Sequence, residues 1–171
     1  MSPKWGITDP SQWNSYGRVY VNRTNADDGY IPQMLTGEAN LPNEYTADLL
    51  FDDTVALNSF FVVIDPEKNI YGEVTTSVQW LFFTNLSKIT PNGYTPSSPQ
   101  RLDQPFINDV MNFMKVNGTG NFSVKGVYTR VDKVLEQFSG TIKRRTLKYD
   151  MQPYFCVRFD LQFIYNPFLN Q

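Results

Sequence analysis

The sequence predicts an α+β fold: a mostly antiparallel β-sheet with one main helix packed on a face and a long extended N-terminal arm. Aromatic residues make up 15% of the chain, with 13 Phe, 10 Tyr and 3 Trp, which favours sheets over a helical bundle. Apolar residues alternate with a period of two in several segments, whereas one segment has helical spacing. The length of 171 residues suits one domain, in which about 70% of the surface of the unfolded chain can be buried.

Residues 1–45 are predicted to form the extended arm, and residues 46–171 a single α+β domain. The arm is rich in Asn, Asp, Gly, Pro and Tyr, and its apolar alternation is limited to Val19 and Val21, so we expect at most one short strand or helix in it. Two interpretations stay open: a loosely packed terminus, or a segment that becomes ordered against a neighbouring subunit.

Three strands are predicted in the first part of the domain. Segments rich in β-formers at residues 45–51 and 56–64 are separated by Asp52 and Asp53, which suit a turn. After another reversal, a long strand extends over residues 71–89. Apolar residues stand at both parities in its second half, which predicts that this part is covered on both faces.

One main helix is predicted at residues 103–116, after an exposed loop at residues 91–99. Asp103 suits the N-cap and Pro105 the first turn, and the glycines of residues 117–120 end the helix. The apolar positions share one side: Phe106, Ile107, Val110, Met111, Phe113 and Met114.

The end of the domain contains the clearest strand. A short strand at residues 122–128 and a helical turn or two at residues 130–138 precede it. From Phe155 to Tyr165 every odd position is apolar and most even positions are polar, the pattern of a strand with one buried and one wet face. We expect this strand to lie beside the earlier ones in the sheet.

Composition argues against most catalytic and metal chemistry. The chain has no His and one Cys, Cys156, which removes His-based proton transfer and the usual zinc ligand sets. It also lacks a calcium-loop spacing and a Gly-rich phosphate loop. We therefore expect no enzyme activity, no catalytic residue, no cofactor and no metal. A carboxylate-based hydrolase that uses Asp52 or Asp53 is an alternative, although such residues more often serve turns.

The sequence also bears on location. No segment reaches the roughly 20 apolar residues of a membrane span, and the first residues, MSPKWGITDP, lack the apolar core of a signal peptide. We expect a protein outside the membrane that is synthesised in a reducing cytoplasm, where Cys156 stays unpaired.

A basic cluster is the main concentration of charge in a chain of net charge −2. Its members are Lys143, Arg144, Arg145 and Lys148. The simpler interpretation is a solvated connection between two elements. The alternative is a loop that faces an acidic partner or the lumen of a DNA channel, where Lys and Arg contact phosphates without reading bases.

The order of elements resembles that of the tail-terminator and neck-ring (head–tail joining) proteins of tailed bacteriophages. The resemblance rests on the strand pair at residues 60–64 and 79–83, the helix at residues 106–111 and the closing strand at residues 156–163. It spans residues 45–166 and lies in the pattern of elements rather than in a diagnostic motif. The extended arm departs from the compact pattern of the family.

The resemblance implies a virion structural protein that forms a closed ring, commonly sixfold or twelvefold, in the neck or tail. Its implied partners are copies of itself, portal or adaptor proteins and tail-tube proteins, with DNA passing through the lumen. On this hypothesis the arm wraps a neighbour, and deletion of residues 2–40 leaves a folded subunit that fails to assemble. The basic cluster, or the loop at residues 91–100, then faces the lumen or an adjacent ring.

A different class of protein is the competing expectation. The aromatic side chains of a carbohydrate- or ligand-binding β-rich module would be exposed platforms for the ligand. The candidates for such platforms are Trp13, Tyr16, Trp80 and Tyr94. A glycan array separates this hypothesis from the ring hypothesis, because a ring component is expected to bind no glycan.

Overall fold

A computed structural model describes residues 9–23, 30–33, 54–64, 68–70, 72–89, 103–117, 122–138 and 153–166. The helices are α1 (Asp103–Asn117) and α2 (Val131–Val134). The strands are β1 (Trp13–Arg18), β2 (Tyr20–Arg23), β3 (Tyr30–Gln33), β4 (Leu57–Val63), β5 (Lys68–Ile70), β6 (Glu73–Asn85), β7 (Phe122–Tyr128) and β8 (Tyr154–Tyr165). The predicted strand at residues 45–51, the loop at residues 91–99 and the basic cluster lie outside the described residues.

A six-stranded sheet forms the centre of the described structure. Its order is β1-β4-β6-β8-β7, and β5 pairs with β6 beside this path. The β1–β4 pair is parallel and the other pairs are antiparallel, while β2 and β3 form a separate antiparallel pair. The predicted α+β fold, with a mostly antiparallel sheet and one main helix, is confirmed.

The long strand β6 is central, as the sequence predicts. It pairs with β4 on one side and with β8 on the other, from Val74 opposite Tyr165 to Asn85 opposite Tyr154. Four consecutive residues in its second half, Leu81 to Thr84, are buried, so both faces are covered there. The strand ends where the Asn85 side chain accepts a hydrogen bond from the Ser87 backbone N–H at 3.1 Å and begins a 3-10 turn.

The front face of the sheet packs against α1. Phe106, Val110 and Met114 recur at every fourth position of α1 and are buried, which gives the helix an apolar stripe. The Phe82 ring meets those of Phe106 and Phe159 edge to face, at centroid distances of 5.5 and 5.8 Å. This aromatic contact fixes the first half of α1 over the middle of the sheet.

The back face of the sheet packs against α2 and the turn that follows it. The buried residues of this layer are Val19, Phe60, Val62, Leu81, Phe83, Val131, Val134, Leu135, Phe138 and Cys156. The expected wet face of the last strand is therefore wrong for its first half: Cys156 and Arg158 are buried. The polar alternation of β8 suggested exposure, but α2 covers these positions.

Part of the predicted arm belongs to the sheet. β1 pairs in parallel with β4, with Trp13 opposite Leu57, and the Val19 N–H donates to the Phe61 carbonyl at 2.8 Å. Val19 is buried in the back layer. Deletion of residues 2–40 removes these contacts, so we now expect it to destabilise the subunit. The boundary at residue 45 stays a prediction.

A short 3-10 turn at Pro10–Gln12 leads into β1. Hydrogen bonds from the Ser11 side chain and backbone N–H to the Asp9 carboxylate hold the pKa of Asp9 below its usual value. The carboxylate therefore stays ionised at neutral pH and caps the turn. Among the described helices, none is long and apolar enough to cross a membrane.

Candidate protein-interaction groove

An open cavity of about 230 Å³ lies on the front face of the sheet, beside the second half of α1. We call it the apolar groove. Its described lining consists of seven apolar side chains: Phe61, Trp80, Phe113, Met114, Phe122, Leu161 and Phe163. These residues come from α1 and from four adjacent strands of the sheet, so a rigid scaffold positions the groove.

The groove exists because the sheet extends beyond the end of the helix. The first half of α1 covers Phe82 and Phe159, whereas Leu161 and Phe163 continue the same face of β8 toward its end. The helix ends at Asn117, so among the described residues of α1 only Phe113 and Met114 line the groove beside these strand residues. Within the described part of the chain, a strip of apolar sheet thus remains open beside the end of the helix.

Stacked aromatic rings make the floor of the groove stiff. The Phe61 and Trp80 rings are nearly parallel, with a 16° interplanar angle and centroids 5.0 Å apart. The ring centroids of Trp80 and Phe82 are 4.4 Å apart, and those of Phe122 and Phe163 are 6.1 Å apart. Such contacts between rings restrict side-chain rotation, so the shape of the groove is formed before anything binds.

The chemistry of the lining selects the kind of occupant. Small-molecule sites usually enclose about 300–1,000 Å³ and combine apolar walls with a few polar groups that orient the ligand. The apolar groove is smaller, and its described lining offers no such group. It fits the apolar side chain of a protein segment, the type of anchor that dominates many interfaces.

Exposed apolar side chains border the groove. Phe113 lines the groove and is 45% exposed. At the end of β8, Tyr165 is 39% exposed and lies on the same face as Leu161 and Phe163. Apolar residues in this density near one cavity are typical of an interaction surface.

A cluster of polar side chains lies on the back face of the sheet, around Arg158. Its guanidinium donates to the Lys133 carbonyl, contacts Asp160 with Nε at 2.8 Å from Oδ1, and lies 4.3 Å from the centre of the Tyr128 ring. Glu136 Oε2 is 3.6 Å from Nη1. These contacts tie α2 to β8 and β7, and they occupy the guanidinium with internal partners, so we interpret this cluster as structural.

The candidate sugar platforms that the structure describes are packed. Trp13 and Trp80 join the front core, and Tyr16 joins the back layer. Trp13 Nε1 donates to Ser59 Oγ at 3.4 Å, and Tyr16 Oη accepts from Asn14 Nδ2 at 3.1 Å. The Trp13 and Tyr16 side chains are therefore engaged within the protein, whereas Trp80 packs on the core and also lines the apolar groove.

Several predicted site residues lie outside the described residues. They are Asp52, Asp53, Tyr94, Lys143, Arg144, Arg145 and Lys148. Within the residues that are described, no group of three or more His, Cys, Asp or Glu side chains is placed to hold a metal ion.

The sequence analysis did not identify the apolar groove. A signal was present: Phe113 lies beside the apolar stripe of α1 and Val116 lies off it, and the aromatic residues of β4, β6 and β8 continue past the length of the helix. Register decides whether such residues meet, and register was not predicted. Comparisons with protein families, with curated proteins and with solved structures find no match to this chain.

Proposed function

We propose that this protein is a virion structural subunit that assembles with copies of itself into a ring in the neck or tail of a tailed bacteriophage. The ring joins the head to the tail and surrounds the DNA channel. The observation that supports the proposal best is the apolar groove, because it fits a protein anchor and is held on a stiff sheet.

A closed ring requires a particular kind of interface. Each subunit must present one surface that receives and a different surface that inserts, since head-to-tail contacts close into rings when the rotation between subunits allows it. The apolar groove is a receiving surface, and the exposed side chains of Phe113 and Tyr165 extend its apolar area. The resemblance to neck and tail proteins supplies the ring and its place in the virion.

The DNA channel is the second part of the proposal. Lys143, Arg144, Arg145 and Lys148 lie outside the described residues, and we assign them to the lumen or to an adjacent ring from their charge alone. Contacts of this type with DNA depend on salt and not on base sequence. Portal, adaptor or tail-tube proteins are the proposed neighbours above and below the ring.

Substitution at the groove tests the assembly part. In Phe113→Lys, a charge is placed on the groove wall at a half-exposed position, and in the control, Val116→Lys, the same charge is placed one turn further along the same helix, outside the groove. We expect the mass in solution, measured by light scattering, to fall to that of the subunit for Phe113→Lys and to stay at that of the parent for Val116→Lys. Equal masses for parent and Phe113→Lys would contradict a role of the groove in assembly.

A further inference from the structure

The strand that forms one wall of the groove also leads to a short apolar segment. β8 contributes Leu161 and Phe163 to the lining and ends at Tyr165. The described chain continues to Asn166, and Pro167, Phe168 and Leu169 follow in the sequence. Residues 167–171 lie outside the described residues. An adjacent Phe–Leu pair therefore follows directly on a wall of a groove whose lining selects an apolar side chain.

We propose that Phe168, supported by Leu169, docks in the apolar groove of a neighbouring copy of this chain. The proposal rests on the self-assembly part of the proposed function and names the contact between subunits. Phe168 is an aromatic anchor of the kind that fills well-packed pockets at protein interfaces. The groove offers aromatic contacts for such a ring, from Phe61 and Trp80 on its floor and from Phe122 in its lining.

Chain length favours a neighbour over the same subunit. Leu161 and Phe163 lie four and two residues before Tyr165, about 13 and 7 Å back along β8 at about 3.3 Å per residue. Phe168 lies three residues after Tyr165, so an extended chain carries it about 11 Å at most. A reversal would use most of this length. Pro167 disfavours the helical region for Asn166, and β8 runs away from the groove at its end, so docking in a neighbouring copy needs no reversal of the chain.

The direction of the contact suits a ring. One surface of the subunit, the groove, receives, and a different surface, the segment after β8, inserts. Such an interface is heterologous, so each copy can receive one neighbour and insert into the next. The same contact repeated around an axis generates the closed assembly without any further type of interface.

Cross-linking between two variants tests which groove is occupied. Asn170→Cys is mixed with Val116→Cys, so that Phe168, Leu169 and Phe113 are all retained; the subunits are exchanged, and a bis-maleimide reagent with a spacer of roughly 10 Å is added. Val116 lies one turn of α1 beyond Phe113 and is 80% exposed. The native Cys156 is buried and serves as an internal check, since the parent should not cross-link. The control partner is Lys133→Cys, which lies on α2, on the opposite face of the sheet.

We expect a cross-linked dimer of Asn170→Cys with Val116→Cys on a denaturing gel and none of Asn170→Cys with Lys133→Cys. We also expect Phe168→Ala/Leu169→Ala to weaken self-association at least tenfold, while Asn170→Ala leaves it unchanged. A cross-link within single chains of Val116→Cys/Asn170→Cys, without dimer in the mixture, would overturn docking between copies.

The results that would contradict this contact differ from those that would also contradict the proposed ring assembly. Rings that persist in Phe168→Ala/Leu169→Ala, together with no cross-linked dimer, would overturn the contact and leave the ring assembly in place. A parent protein that stays monomeric at every concentration would overturn both.

Discussion

Replacement of Arg158 by Met tests whether the buried guanidinium holds α2 on the back face of the sheet. Met keeps an apolar stem of similar length and removes the charge. The Arg158 side chain is only 4% exposed, and its contacts with the Lys133 carbonyl, Asp160 and Tyr128 are all internal. The substitution therefore leaves the Lys133 carbonyl and the Asp160 carboxylate without this partner.

The magnitude follows from these contacts. A desolvated cation–π contact contributes about 2 kcal/mol, and a hydrogen bond from a charged donor about 1.5–3 kcal/mol. Removal of one member of a buried pair typically costs about 3–5 kcal/mol. Asp160 is 23% exposed, so water can partly solvate the remaining carboxylate. We therefore expect the free energy of unfolding to fall by about 3 kcal/mol.

Arg130 provides a matched control in the same region. It also pairs with an aspartate, Asp132, at 2.9 Å, but its side chain is 77% exposed. Exposed pairs contribute about 1 kcal/mol or less, so Arg130→Met is expected to lower the free energy of unfolding by no more than that. Both variants lose one positive charge, and the change in net charge is therefore the same.

The assay is urea unfolding followed by circular dichroism for the parent and both variants. A lower midpoint with an unchanged slope against urea reports a loss of stability. The free energies of unfolding of Arg158→Met and Arg130→Met are then compared. If they differ by less than about 0.5 kcal/mol, about half of a typical hydrogen bond, the buried cluster does not stabilise the fold as described.

Three further predictions concern the packing of the sheet. Phe82→Ala removes a fully buried ring that contacts Trp80, Phe106 and Phe159, so we expect the free energy of unfolding in urea to fall by about 3–5 kcal/mol. The control, Phe113→Ala at a half-exposed position, should lower it by less than about 1 kcal/mol. Similar values for the two variants would contradict the assigned core. Gly126→Ala places a Cβ 2.8 Å from the Tyr128 ring, which the Arg158 guanidinium covers, so we expect a loss of about 1–3 kcal/mol, and an unchanged melting temperature would show that the ring moves aside. If β1 and the residue after it belong to the core, Val19→Ala should lower the free energy of unfolding by about 1–2 kcal/mol. An unchanged urea midpoint would indicate that this segment is not part of the core.

The sequence predicted most of the elements because their patterns are local. The alternation in β8, the mixed parities of β6 and the apolar stripe of α1 each lie within one segment. Asp103, predicted as the N-cap, is instead the first residue of the helix and lies in its first turn. The predicted ends of α1 and β8 differ from the observed ones by at most one residue. The edge strand β1 was not assigned to the sheet, because it is only partly buried and shows little apolar alternation.

The candidate site was harder to predict because it depends on register. The groove forms where Trp80 and Phe61 lie opposite each other on neighbouring strands and where α1 ends short of Leu161 and Phe163. Neither relation can be found within a single segment. The burial of Arg158 was missed for a similar reason: α2 covers it, and the 3.6-residue period of so short a helix is not visible in the sequence.

The central claim is that the protein assembles with itself into a ring, and images of the purified protein test it most directly. Negative-stain electron microscopy of the parent at high concentration, with the mass of the same sample determined by light scattering, gives both shape and copy number. The account predicts closed rings with a central channel, sixfold or twelvefold as the resemblance implies. A strict monomer, or filaments and aggregates without a closed form, would contradict it.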